Sequence, residues 1–140
     1  MKKASIIFGA IVMISMTLHQ CGNAPVSSEE SAQAILITHP ISGERIKVAV
    51  KDFDDKMNWE SAKKVCNSLG NGWCLPTFEE LKVMHEELHK NAKGNFKPDV
   101  YWGNAWNDSS QAIVYFFNGG HSFSVNKLNE QHYVRAVRNF

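Results

Sequence analysis

The chain is 140 residues long and carries 15 Lys and Arg against 14 Asp and Glu. Near-neutrality provides no general electrostatic drive toward nucleic acid, and the length supports one modest core rather than two. Without Lys2 and Lys3 the balance becomes 13 against 14, which leaves the exclusion standing.

Behind Lys2 and Lys3, Ala4 to Leu18 is an almost unbroken apolar run. A positive start followed by such a run is the pattern of a secretory leader. The run falls short of the about 20 apolar residues that span a bilayer core, and it stops at His19 and Gln20, so residues 1–20 are expected to be a signal peptide. Cys21 stands where a lipoprotein signal peptidase cuts. Leu18 suits the minus-three position, while Gln20 at minus one is larger than that enzyme prefers. The expectation is a lipid on Cys21, a membrane anchor, and residence in the cell envelope; ordinary cleavage nearby and an uncleaved anchor are the other readings. Gly22 to Ser31 is polar and poor in large apolar groups, so residues 21–33 read as a tether and residues 34–140 as the folded domain.

The cysteine count bears on the anchor. Cys21, Cys66 and Cys74 are the three cysteines, and an odd thiol in an exported chain asks for an explanation. Lipid on Cys21 would leave Cys66 and Cys74 to pair in an oxidising compartment, closing a loop worth about 2.5 kcal/mol. Two buried free thiols are the other reading.

Ala34 to Thr38 reads as a short strand, Pro40, Ser42 and Gly43 as a turn, and Arg45 to Val50 as a second strand with Ile46, Val48 and Val50 on its buried face. Asn58 is placed to cap a helix whose apolar face is Trp59, Ala62, Cys66 and Leu69, with Gly70 as its stop. Thr77 and Glu80 form a capping box that opens a second helix with Leu81, Met84 and Leu88 on one stripe. Gly94 and Pro98 bound its far end. Ile113 to Phe117 is a continuous apolar run suited to a buried strand, Asn118-Gly119 is a hairpin turn, His121 to Val125 alternates, and Tyr133 to Arg138 is a final strand. Helices and strands segregated in this way predict an α+β fold.

Two motifs suggest chemistry. His85-Glu86-Glu87-Leu88-His89 satisfies H-E-x-x-H, in which histidines one turn apart can share a zinc ion and the Glu can activate water. The surroundings argue against a buried zincin helix: Glu87 and Lys90 are charged, and Ala92 stands where a metzincin carries Gly. A zinc hydrolase through His85, Glu86 and His89 is therefore the alternative. Trp106-Asn107-Asp108 spells the tripeptide with which calcium-dependent lectins hold their ion through side-chain oxygens. The partner motif is absent, since Lys97-Pro98-Asp99 offers Lys where an oxygen ligand is needed. A calcium-dependent lectin through Asn107 and Asp108 is a second alternative. Tyr101, Trp102, Trp106 and Tyr115 could each stack on a sugar, but Trp59, Trp73 and Trp102 read as core. Trp106, flanked by Asn104, Asn107 and Asp108, is the expected exposed one. These four residues are the candidate ligand contacts. No catalytic set is legible, and no cofactor or structural metal is expected.

Several blocks carry a resemblance. Trp59 to Cys66, Leu69-Gly70, Gly72-Trp73-Cys74-Leu75-Pro76-Thr77-Phe78-Glu79-Glu80-Leu81, Gly94-Asn95-Phe96, Tyr101-Trp102, Phe116 to Gly120 and Val134-Arg135-Ala136-Val137-Arg138 together resemble the Lcl C-terminal domain family, over roughly residues 57–140. The resemblance implies a C-type-lectin-like fold, with two helices packed on a small antiparallel sheet, and an extracytoplasmic module that is adhesive in some members. It supplies no catalytic residues. The chain departs from the family pattern at Cys74, where Arg is usual, and at Gly103-Asn104, where Ser-Ser is usual. The function expected is non-enzymatic binding at the cell envelope, with a glycan or an envelope protein as partner.

Overall fold

A computed structural model describes residues 34–105 and 110–140. In chain order the elements are β1 (Ala34–Thr38), β2 (Arg45–Ala49), α1 (Trp59–Ser68), α2 (Phe78–Met84) with a π-helical turn (His85–His89) continuing it, β3 (Val100–Ala105), β4 (Gln111–Phe116), β5 (His121–Asn126) and β6 (Val137–Asn139). The fold is α+β: among the described residues there are two helices and two three-stranded antiparallel sheets, ordered β1-β2-β6 and β3-β4-β5. No helix among the described residues is long and apolar enough to cross a membrane.

Local chemistry accounts for the helices. The Asn58 side chain accepts the Ser61 N–H at 2.9 Å and starts α1. Gly70 stops it at φ +71°, a conformation open to a residue without Cβ. Thr77 and Glu80 satisfy each other's backbone N–H groups at the start of α2, as their spacing predicts. Trp59, Ala62 and Cys66 are buried along α1, and Leu81, Met84 and Leu88 along α2 and its continuation. Leu69 departs from the expected stripe. It lies past the last turn of α1 and is exposed, because the helix ends before it can face inward. Val50 is likewise exposed, since β2 ends at Ala49.

β4 sits between two apolar clusters. Tyr115 belongs to one, with Leu81, Met84, Tyr101 and Phe117. Ala112 and Val114 belong to the other, with Trp59, Cys66, Trp73 and Trp102. Successive side chains of a strand point to opposite faces, so a strand buried on both faces reads as an unbroken apolar run, which is what Ile113 to Phe117 shows. The final strand is shorter than its expected span, Tyr133 to Arg138. Residues before Val137 are extended but divide their backbone bonds between neighbours. Tyr133 bonds with Val100 and Trp102 of β3, the Val134 carbonyl accepts the Phe53 N–H, and the Ala136 carbonyl accepts the Ala49 N–H. Only Val137–Asn139 forms a ladder with β2.

The expected Cys66–Cys74 bridge does not form. Cys66 is a free, buried thiol. It points from α1 into the cluster around Trp59, whereas Cys74 packs against the cluster around Leu81. Lipid on Cys21 therefore no longer follows from cysteine parity.

Candidate functional site

The candidate ligand segment joins β3 to β4. Trp106, Asn107 and Asp108 lie outside the described residues, as does Cys21. Asn104 is described. It is the penultimate residue of β3, partly buried, and its N–H donates to the Pro76 carbonyl at 2.8 Å. The framework around the segment is well held. The indole N–H of Trp59 donates to the Gly103 carbonyl at 3.0 Å, and the Lys127 N–H donates to the Ser110 carbonyl at 3.1 Å. The Lys127 ammonium lies 4.1 Å from the centre of the Trp59 ring, with the Lys63 ammonium 5.4 Å from the same ring; cations are attracted to the negative face of an indole. The β3–β4 register shifts between Trp102 and Ala105. Such an irregularity re-aims the chain where it leaves the sheet. A Cβ on Gly103 would stand 3.0 Å from the Leu81 side chain and 3.1 Å from the Ile113 carbonyl, so this position of β3 is tightly enclosed.

Three of the aromatic residues considered as sugar platforms are core. Tyr101 and Trp102 are fully buried and Tyr115 is nearly so, because β3 and β4 are covered on both faces. The Tyr101 hydroxyl donates to Asp52 Oδ2 at 2.7 Å and accepts the Lys97 N–H at 2.8 Å. Burial, then the Asp52 carboxylate, push its pKa above the ordinary phenol range. Asp52 Oδ1 also accepts from Arg135 Nε at 2.6 Å, and Arg135 Nη1 donates to the Ala49 carbonyl at 2.9 Å. The Arg135 guanidinium stacks 4.0 Å from the Phe96 ring centre. This network was not legible in the sequence, since Asp52 and Arg135 stand 83 residues apart and no local pattern joins them.

The His85–His89 segment takes a shape different from the α-helical one its pattern implies. The Lys90 N–H reaches the His85 carbonyl five residues back, at 3.0 Å, which is the π-helical bond. The two imidazoles stack at 5.5 Å with 27° between their planes. Lone pairs lie in the ring planes, so near-parallel stacked rings do not aim both nitrogens at one ion. His85 Nδ1 lies 3.2 Å from Glu86 Oε1, and Glu86 Oε2 accepts from Lys90 at 2.7 Å. Among the described residues no three His, Cys, Asp or Glu side chains converge as a metal site. Burial of Cys66 pushes its thiol up to about 12, the reverse of an activated nucleophile.

Compared with protein-family models and with curated proteins, the chain matches none.

Proposed function

We propose that this chain is a non-enzymatic binding module of the cell envelope, C-type-lectin-like in fold, whose ligand contacts come from the segment between β3 and β4. The observation that carries this reading is a contrast within the one sheet. β3 and β4 are buried on both faces and anchored by Trp59 and Lys127. The segment that joins them in the chain includes Trp106-Asn107-Asp108, which is polar apart from its tryptophan. A rigid scaffold presenting a polar and aromatic loop is the usual layout of a recognition site. The likeness of residues 57–140 to the Lcl C-terminal domain family supports the same reading, and so does the leader pattern of residues 1–20.

The ligand class proposed is a glycan or a glycan-bearing envelope component, since indole faces stack on sugar rings and Asn and Asp bind hydroxyls. A glycan array probed with the chain and with Trp106→Ala and Asn107→Ala variants tests it. Binding that both variants weaken supports the site, and binding that neither alters places the contact elsewhere. Repeating the array with calcium and with chelator separates the calcium-dependent form, because only an ion-bridged sugar is lost with the ion.

Attachment through a lipid on Cys21 is the second part of the proposal and rests on the leader pattern. Intact-mass and peptide analysis of protein recovered from membranes decides it. A diacylglyceryl mass on Cys21, lost in Cys21→Ser together with membrane retention, is the expected outcome. Cys21 recovered in a disulfide or unmodified would overturn it, because a thioether-linked sulfur cannot also be part of a disulfide.

A further inference from the structure

The stacked pair His85 and His89 does no work in the proposed binding site, yet it occupies a built position. His85 is buried at the junction of α2 and the β4–β5 turn. A Cβ placed on Gly120 would come within 2.9 Å of His85 Cε1, so the turn lies directly against the ring. The Tyr115 hydroxyl donates to the Gly120 carbonyl at 3.1 Å, fixing the turn from the sheet side. Both imidazoles meet the same Phe117 ring edge-on, at 5.6 and 5.4 Å, and His85 also meets Tyr115 at 5.4 Å. An aromatic enclosure of this kind offers little solvation to an added charge.

We propose that the His85–His89 pair is an acid-sensitive clasp between the π-helical turn and the β4–β5 turn, closed while the pair holds at most one proton and opened when both rings are charged.

The groups facing the pair support this. From its own turn, Glu86 lies against His85, but Glu86 is already bridged to Lys90, so one carboxylate is shared between two cations. From β4 comes only Tyr115, whose phenol is held above its ordinary range by burial and then by Glu86. From the β4–β5 turn come Gly119 and Gly120, while the next ring, His121, is turned onto Phe116 at 5.5 Å. A second proton would therefore place two like charges 5.5 Å apart with one shared, exposed counter-charge. His89 is held below its ordinary 6.5, first by burial and then by the charge on His85. The unfolded ring takes its proton at 6.5, and the folded one only at lower pH. The folded state is thus most stable above 6.5 and loses stability as pH falls below it.

Two measurements test the clasp, and neither depends on the binding reading. Histidine Cε1–H resonances followed by NMR from about pH 8 to about pH 5 should show two coupled steps. The second proton is expected to bind about tenfold or more weakly than the first, with the Gly119 and Gly120 amides shifting on that second step. Two independent titrations, or turn amides that ignore the second step, would overturn the proposal. The second measurement is Tm against pH for the chain and for His89→Phe, which keeps a ring against Phe117 but removes the proton. A flattened slope in His89→Phe, with the slope retained in His132→Gln, is expected. An unchanged slope in His89→Phe would reduce the pair to packing and sink the idea. Should His89→Phe not fold, the titration of the unmodified chain decides alone.

Discussion

The most consequential single contacts are those of Asp52. Its two carboxylate oxygens are divided between Arg135, at 2.6 Å, and the Tyr101 hydroxyl, at 2.7 Å. The Arg135 side chain is 1% exposed and that of Asp52 9%, so neither charge has water to fall back on. Removing one member of a buried pair strands the other, which typically costs about 3–5 kcal/mol. Asp52→Asn should lower stability by about that amount in urea denaturation, whereas Tyr101→Phe, which removes one hydrogen-bonding hydroxyl, should cost about 1–3 kcal/mol. Equal, small losses in the two variants would show that the pair is solvated. Cys66 makes a second residue-scale prediction. Its buried thiol, pushed up to about 12, carries almost no thiolate at neutral pH. Alkylation monitored by mass spectrometry should therefore proceed only at the rate of unfolding and accelerate with denaturant. Rapid labelling of the native chain would show that the cluster around Trp59 opens.

At the level of elements, local rules carried well wherever the chemistry is local. The Thr77–Glu80 spacing foretold a capping box that the structure forms with both bonds, at 2.7 and 3.2 Å. Thr77→Ala should cost about 1 kcal/mol, read as a lower urea midpoint at unchanged m-value; no loss would mean that packing of α2 alone holds its first turn. The same helix shows where local rules end. His85 to His89 has an ordinary helical pattern, and nothing in its spacing distinguishes an α turn from a π turn. The deciding contacts are with Phe117 and the Gly120 turn, which lie about thirty residues on in the sequence and enter only with the tertiary fold. Leu69 is the converse case. Its spacing is right for the buried face, but Gly70 ends α1 one residue too early for it to be used.

Across the whole molecule, the burial of β4 was legible as a continuous apolar run, but its two partners were not. An unbroken apolar run reports that Ile113 to Phe117 is enclosed without saying that α1 covers one face and α2 the other. The cysteines mislead for the same reason. Their count suggested that Cys66 and Cys74 pair, yet they serve clusters on opposite sides of the sheet. The candidate ligand segment was legible only as composition, since Trp106, Asn107 and Asp108 have no partners in the sequence pattern to fix their placement.

Enclosure of β4 on both faces has a consequence for cooperativity. The cluster around Leu81 and the cluster around Trp59 share β4 and β3, and residues 133–137 bond to both sheets. Neither cluster can lose its packing without exposing one face of the shared strands, so the two should unfold as one. Met84 is fully buried in the cluster without tryptophan, while Trp59, Trp73 and Trp102 all lie in the other. Met84→Ala, expected to cost about 2–5 kcal/mol, should lower the midpoint seen by tryptophan fluorescence as far as the midpoint seen by hydrogen exchange at α2. Were the fluorescence midpoint to stay in place while α2 lost protection, the two halves would be separate folding units. The β3–β4 scaffold would then hold its polar segment independently of the His85–His89 clasp.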